Sequence, residues 1–143
     1  MTFDNRNNVT KKERILTAAV VIVLFTLSAL ALAACGSSHP VYQQITQVEA
    51  MQMMEDEPDC VIVDVRRPDE FNDGHIPGAI NIPNEEITDS MPPALPDKNQ
   101  MILIYCRSGN RSKEAAQKLA DMGYTNVYEF GGINTWEGEI VSE

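Results

Sequence analysis

The sequence predicts an α/β fold: an open, mostly parallel sheet of five strands with helices on both faces. Three observations carry that expectation. Short apolar runs of strand length alternate with stretches of helical periodicity, and strands that alternate with helices fold as a layered sheet joined by crossovers. Cys60-Val61-Ile62-Val63 is apolar at every position, the pattern of a strand covered on both faces. Met101-Ile102-Leu103-Ile104-Tyr105 is a second such run, and it leads through Cys106 and a glycine-containing turn into a helical pattern. Sites in sheets of this kind lie at the carboxyl ends of the strands. Asp64 and Arg66, ending one run, and Cys106, ending the other, are therefore expected to share one edge.

The first 34 residues stand apart from this domain. Arg6, Lys11, Lys12 and Arg14 precede an apolar stretch from Ile15 to Ala34 whose only polar residues are Thr17, Thr26 and Ser28, the layout of a secretory signal. It ends in Leu32-Ala33-Ala34-Cys35, which resembles a bacterial lipoprotein signal: small residues for the peptidase, then a cysteine whose thiol takes the lipid and becomes the mature N-terminus. Cys35 is the expected lipid attachment point. The same stretch is long enough to span a bilayer uncleaved. Either route anchors the chain to the membrane of a bacterial cell envelope with the rest outside the cytoplasm. Residues 35–40 read as a linker and 41–143 as the folded domain.

The leader holds four of the 11 Lys+Arg and two of the 21 Asp+Glu. From Cys35 onward 7 basic residues face 19 acidic ones, a formal net charge of −12. That balance repels nucleic acid and anionic lipid surfaces, and no basic patch offsets it.

Within the domain, Thr46-Gln47-Val48-Glu49 has the spacing of a capping box, and Val48, Met51 and Met54 continue at helical intervals to about Glu55. The methionines are expected in the core. A turn at 56–59 precedes the Cys60–Val63 strand. Arg67 to Asp73 predicts a short helix, Gly74 to Gly78 a loop, Ala79 to Ile82 a third strand, and Asn84 to Asp89 a single helical turn. The three prolines between Met91 and Lys98 mark a surface connection. After the Met101–Tyr105 strand, Ala115, Ala116, Leu119, Ala120 and Met122 recur at helical spacing until Gly123. Asn126 to Phe130 alternates as a fifth strand, and Gly131-Gly132 turns into a terminal segment carrying Trp136, expected to be a packing residue.

Cys106-Arg107-Ser108-Gly109-Asn110-Arg111-Ser112 is the stretch that carries chemistry. The residues after Cys106 open a helix, so their N–H groups lack intrahelical partners and point back toward the sulfur, with the positive end of the helix dipole behind them. Arg107 and Arg111 add charge. Such surroundings favour a thiolate and lower a cysteine's pKa. A core cysteine needs no such turn, whereas a cradle for anionic sulfur needs a backbone that can curl around it, which Gly109 permits. The small side chains of Ser108, Gly109 and Ser112 are expected to leave the sulfur reachable. Cys60 starts its strand at the opposite edge of the sheet, too far from Cys106 for a disulfide. Cys60 is expected in the core and Cys106 as a free thiol.

This loop resembles the active-site loop of rhodanese-like sulfurtransferases, and the resemblance runs from Val41 to Trp136. Asp64-Val65-Arg66 with Glu70-Phe71 looks like the first family signature, and Gly74-His75-Ile76-Pro77-Gly78-Ala79 is similar to the second. The Cys106 loop is the third, and Gly131-Gly132 with Trp136 resembles the closing one. The resemblance implies a sulfur relay in which Cys106 takes the outer sulfur of thiosulfate or a related small donor as a persulfide. A thiol, cyanide-like or protein acceptor then removes it. No metal or organic cofactor is implied. Arg107, Ser108, Gly109, Asn110, Arg111 and Ser112 would bind the donor, with Arg66 as a further anion contact. Asp64 would organise the loop, and His75 would fix its own loop by hydrogen bonding.

Two other classes compete with this reading. A non-catalytic persulfide carrier or partner-binding module would use the same loop. Phosphatases and arsenate reductases also place cysteine and arginine on a loop before a helix, but tyrosine phosphatases put five residues between them. Here Cys106 and Arg111 are separated by four, a ring better suited to one sulfur atom than to a tetrahedral oxyanion.

Overall fold

The computed structural model describes residues 41–142. The apolar leader, Cys35 and the linker lie outside the described residues. Five strands form one sheet in the order β1-β5-β4-β2-β3, and every neighbouring pair is parallel. They are β1 (Gln43–Gln44), β2 (Val61–Asp64), β3 (Ile80–Asn81), β4 (Ile102–Cys106) and β5 (Val127–Gly132). Among the described residues three α-helices lie between strands: α1 (Gln47–Asp56), α2 (Pro68–Asp73) and α3 (Asn110–Asp121). The fold is the predicted α/β class, with a sheet that is entirely parallel.

The core is two-sided because β4 is buried along its whole length. Ile102, Ile104 and Cys106 face one side, where they pack with Val63 of β2, with Val65 just after it, and with Ala115, Ala116 and Leu119 of α3. Leu103 and Tyr105 face the other, against Ala50 of α1 and Phe130 of β5. Period-2 alternation thus sends the cysteine side chain toward the helix that follows it.

Local chemistry sets the element ends. Thr46 caps α1 through the full capping box, its hydroxyl accepting from the Glu49 N–H while the Glu49 carboxylate accepts from the Thr46 N–H at 2.7 Å. Pro68 occupies the first turn of α2, where its missing N–H removes no helical bond. At the end of α3, Gly123 adopts φ +91°. Its N–H bonds the Ala120 carbonyl and the next N–H, from Tyr124, bonds that of Leu119, the Schellman arrangement that frees the chain to turn into β5.

The structure departs from the sequence reading in several particulars. The face that α1 buries is offset: Ala50 is fully buried, Met53 and Met54 pack beside it, and Val48 is 71% exposed. The strand expected at Cys60–Val63 is shifted by one residue, leaving Cys60 half-buried just before β2. β5 continues through Gly131 and Gly132, which were expected to form a turn. The proline-rich connection is exposed along most of its length, as expected, but it is pinned at Leu95, which is fully buried and whose carbonyl accepts from the Tyr124 hydroxyl at 2.6 Å.

Candidate active site

Cys106 ends β4, and the turn after it wraps back over its sulfur. Gly109 makes this possible with φ +100°, a left-handed conformation open to glycine at little cost. Its N–H points at the Cys106 sulfur at 3.1 Å. Burial pushes the Cys106 thiol up, and hydrogen bonding at Ser112 together with the backbone N–H groups of Ser108 and Gly109 outweighs it, so that the thiol lies below its ordinary value. Cys60 shows the opposite balance, because burial raises its thiol and Glu57 adds to the rise.

The sulfur is less open than the loop's small side chains suggested. Cys106 is 1% exposed, so a reactant must come down the mouth of the loop rather than across a surface. Ser108 and Asn110 are exposed at that mouth, as is Arg107. Among the described residues Arg107 makes no ion pair, and its guanidinium is available to an incoming anion. The backbone of this turn is fixed from behind by β5. A Cβ on Gly132 would lie 2.3 Å from the Arg107 carbonyl oxygen and 2.5 Å from the Ser108 Cα, so only glycine allows the two backbones to approach this closely.

The other two expected arginines are tied to carboxylates. Arg111 donates to Glu70 twice, at 2.6 and 2.9 Å, joining the start of α3 to α2. This hydrogen bonding, helped by the Arg67 N–H and working against burial, holds the Glu70 carboxyl down at about 2. Arg66 is 6% exposed and grips Asp64 through Nε and Nη2, with a further bond from Nη2 to the Gly74 carbonyl at 2.6 Å. The expected anion contact by Arg66 thus meets a guanidinium already engaged on both sides. Asp64 also accepts the Arg66 N–H at 2.9 Å, closing the turn at the end of β2. His75 is buried, stacked on Phe71 at 3.7 Å between ring centroids, with Nδ1 3.0 Å from the Phe71 carbonyl. Its backbone forms a two-way bridge to Val141.

Two participants escaped the sequence reading. One is Glu70 as the partner of Arg111. The other is Glu129, a carboxylate 3% exposed in β5, whose Oε1 accepts from the Ser112 hydroxyl at 2.6 Å and from the Gly131 N–H at 2.8 Å. Its signal lay in the alternation of β5, which puts Glu129 on the same side as buried Val127 and thus on the α3 side of the sheet.

A family model described as a rhodanese-like domain matches residues 46–139, which spans α1, the whole of β2 to β5 and the Cys106 loop. The chain belongs to the rhodanese-like family. Among rhodanese-like relatives, it is 42% identical over 71 residues to the thiosulfate sulfurtransferase PspE of Escherichia coli, covering 50% of this chain and 68% of that protein. It is 34% identical over 98 residues to the thiosulfate sulfurtransferase GlpE of Coxiella burnetii, covering 68% and 89%. A solved structure described as a rhodanese with anions, from E. coli, superimposes with TM-score 0.54 at 37% identity over 58% of this chain and 98% of that one.

Proposed function

We propose that the protein is a sulfurtransferase that moves sulfane sulfur from thiosulfate or a related small donor to a thiol or cyanide-like acceptor through a persulfide on Cys106. The observation that carries this reading is the placement of a thiol of lowered pKa under converging N–H groups at the carboxyl end of the central strand. The names of the two relatives support the donor class.

In the first half-reaction the Cys106 thiolate attacks the outer sulfur of thiosulfate. A bond forms between Sγ and that sulfur, the bond within the donor breaks, and sulfite leaves with the electron pair. The N–H groups of Ser108, Gly109 and Ser112 stabilise the negative persulfide where they had stabilised the thiolate. In the second half-reaction an acceptor thiolate or cyanide attacks the outer sulfur, and Cys106 departs as thiolate. Exposed Arg107 offers the donor its first charge contact. Arg111, Arg66 and Asp64 hold the shape of the loop through their ion pairs, and His75 anchors the α2 end of the site. The near-complete burial of Cys106 favours a small donor such as thiosulfate over a bulky phosphate ester.

The proposal extends to location. The leader and Cys35 would place this domain outside the cytoplasm on a lipid anchor, with its charge of −12 keeping it off anionic surfaces.

Turnover tests the function. Purified full-length protein is given thiosulfate with cyanide or a dithiol, and phenyl phosphate or arsenate in parallel. Thiocyanate or sulfide release is expected. Phosphate release or arsenate reduction without sulfur transfer would replace this reading, and a persulfide formed without turnover would make the protein a carrier.

A further inference from the structure

Glu129 is a buried carboxylate to which the sulfur relay gives no task, yet it competes for a proton beside the nucleophile. The Ser112 hydroxyl lies against the Cys106 sulfur and has three oxygen acceptors: Glu129 Oε1 at 2.6 Å, the Gly109 carbonyl at 3.1 Å and the Gly131 carbonyl at 3.4 Å. A hydroxyl carries one proton. The carboxylate is the shortest and the only charged oxygen acceptor, and charge-assisted bonds are roughly twice as strong as neutral ones. The proton therefore goes to Glu129, and only backbone amides remain as fixed donors to the sulfur. The Gly131 N–H bond to the same Oε1 holds the carboxylate in place.

We infer that Glu129 is a positioning residue for Cys106: it draws the Ser112 proton away from the sulfur and fastens Gly131 beside the first turn of α3, restraining ionisation of the thiol. This rests on Cys106 being the reactive thiol of the proposed sulfur transfer. The advantage lies in nucleophilicity, which falls as a thiol becomes more acidic, so that the best attacking thiol has a pKa near ambient pH. Few other charges face this point. Lys113 of α3 lines the same shallow depression, Arg107 stands exposed in the loop, and α1 contributes neutral Thr46 and Gln47. On the α2 side, Glu70 is joined to Arg111. The charge of Glu129 acts in the same direction as its capture of the proton.

The test is the pH dependence of Cys106 alkylation by iodoacetamide, read by peptide mass in the full-length protein. No sulfur donor is needed, so its outcome is separate from whether transfer occurs. Glu129→Gln keeps the size and an acceptor but removes the charge, and its alkylation midpoint should fall by about half a pH unit or more. Ser112→Ala should leave the midpoint within about 0.2 unit of wild type. An unchanged or raised midpoint in Glu129→Gln overturns the inference, as would a clear rise in Ser112→Ala, which would show that the hydroxyl donates to the thiolate. If Glu129→Gln does not fold, the Ser112→Ala arm decides alone.

Discussion

At the scale of single residues, the site separates two kinds of arginine. Arg107 is exposed and, among the described residues, without an ion pair, which leaves it free to meet an anionic donor in the proposed reaction. Arg111 and Arg66 are held by carboxylates, so they shape the loop. Arg107→Ala should therefore raise the KM for thiosulfate by about five-fold, the effect of roughly 1 kcal/mol from an exposed charge contact, while leaving thermal stability unchanged. Steady-state kinetics with a melting curve checks both parts. Cys106 itself was legible because everything that marks it is local: strand, glycine turn and helix follow one another within a few residues. Its 1% exposure was not legible, since side-chain size in a loop says nothing about how the backbone closes over the sulfur.

At the scale of elements, the site is held by contacts between segments far apart in sequence, which is why periodicity could not find them. Glu70 and Arg111 are 41 residues apart, and each alone reads as a solvated charge. Removing Glu70 leaves Arg111 half-buried without its carboxylate, and removing Arg111 leaves Glu70 with only the weaker contacts to the Arg67 N–H and Nε. Glu70→Ala and Arg111→Ala should each lose stability, and the double variant should lose less than their sum by about 0.5–3 kcal/mol. Urea unfolding of the four proteins measures this directly, and full additivity would show that the pair does not couple α2 to α3. The backing of the loop by β5 gives a second expectation. Gly132→Ala forces a Cβ into the Arg107 and Ser108 backbone, which should cost about 1–3 kcal/mol and slow sulfur transfer, read by melting temperature and turnover together. The sequence reading ended β5 at Phe130 because paired glycines usually signal a turn. Here the lack of side chains allows close approach instead. β1 was equally hard to see, as two glutamines carry no apolar pattern.

At the scale of the whole molecule, the fold class followed from the order of apolar runs and helical stretches, and β4 buried on both faces bears that out. The acidity of the chain makes pH a useful probe. Glu70 is held at about 2 against an ordinary value of 4.5, so its pairing contributes stability that is fully present above about pH 4.5. That contribution is lost as the pH falls toward 2. The melting temperatures of wild type and Arg111→Ala should differ at pH 7 and converge below pH 4. A gap that stays constant to pH 3 would assign the stabilisation to something other than this ion pair. The proposed anchor is independent of all this. Intact mass of protein extracted from membranes should show loss of residues 1–34 and a lipid on Cys35, whereas an unmodified N-terminus would favour an uncleaved span.

The central claim is that Cys106 carries the sulfur, and mass spectrometry after brief exposure to thiosulfate tests it most directly. The account predicts a gain of about 32 Da, one sulfur atom, on the peptide containing Cys106. The gain should be removed by cyanide, absent in Cys106→Ser, and undiminished in Cys60→Ala. Sulfur found on Cys60, or still taken up by Cys106→Ser, would contradict it.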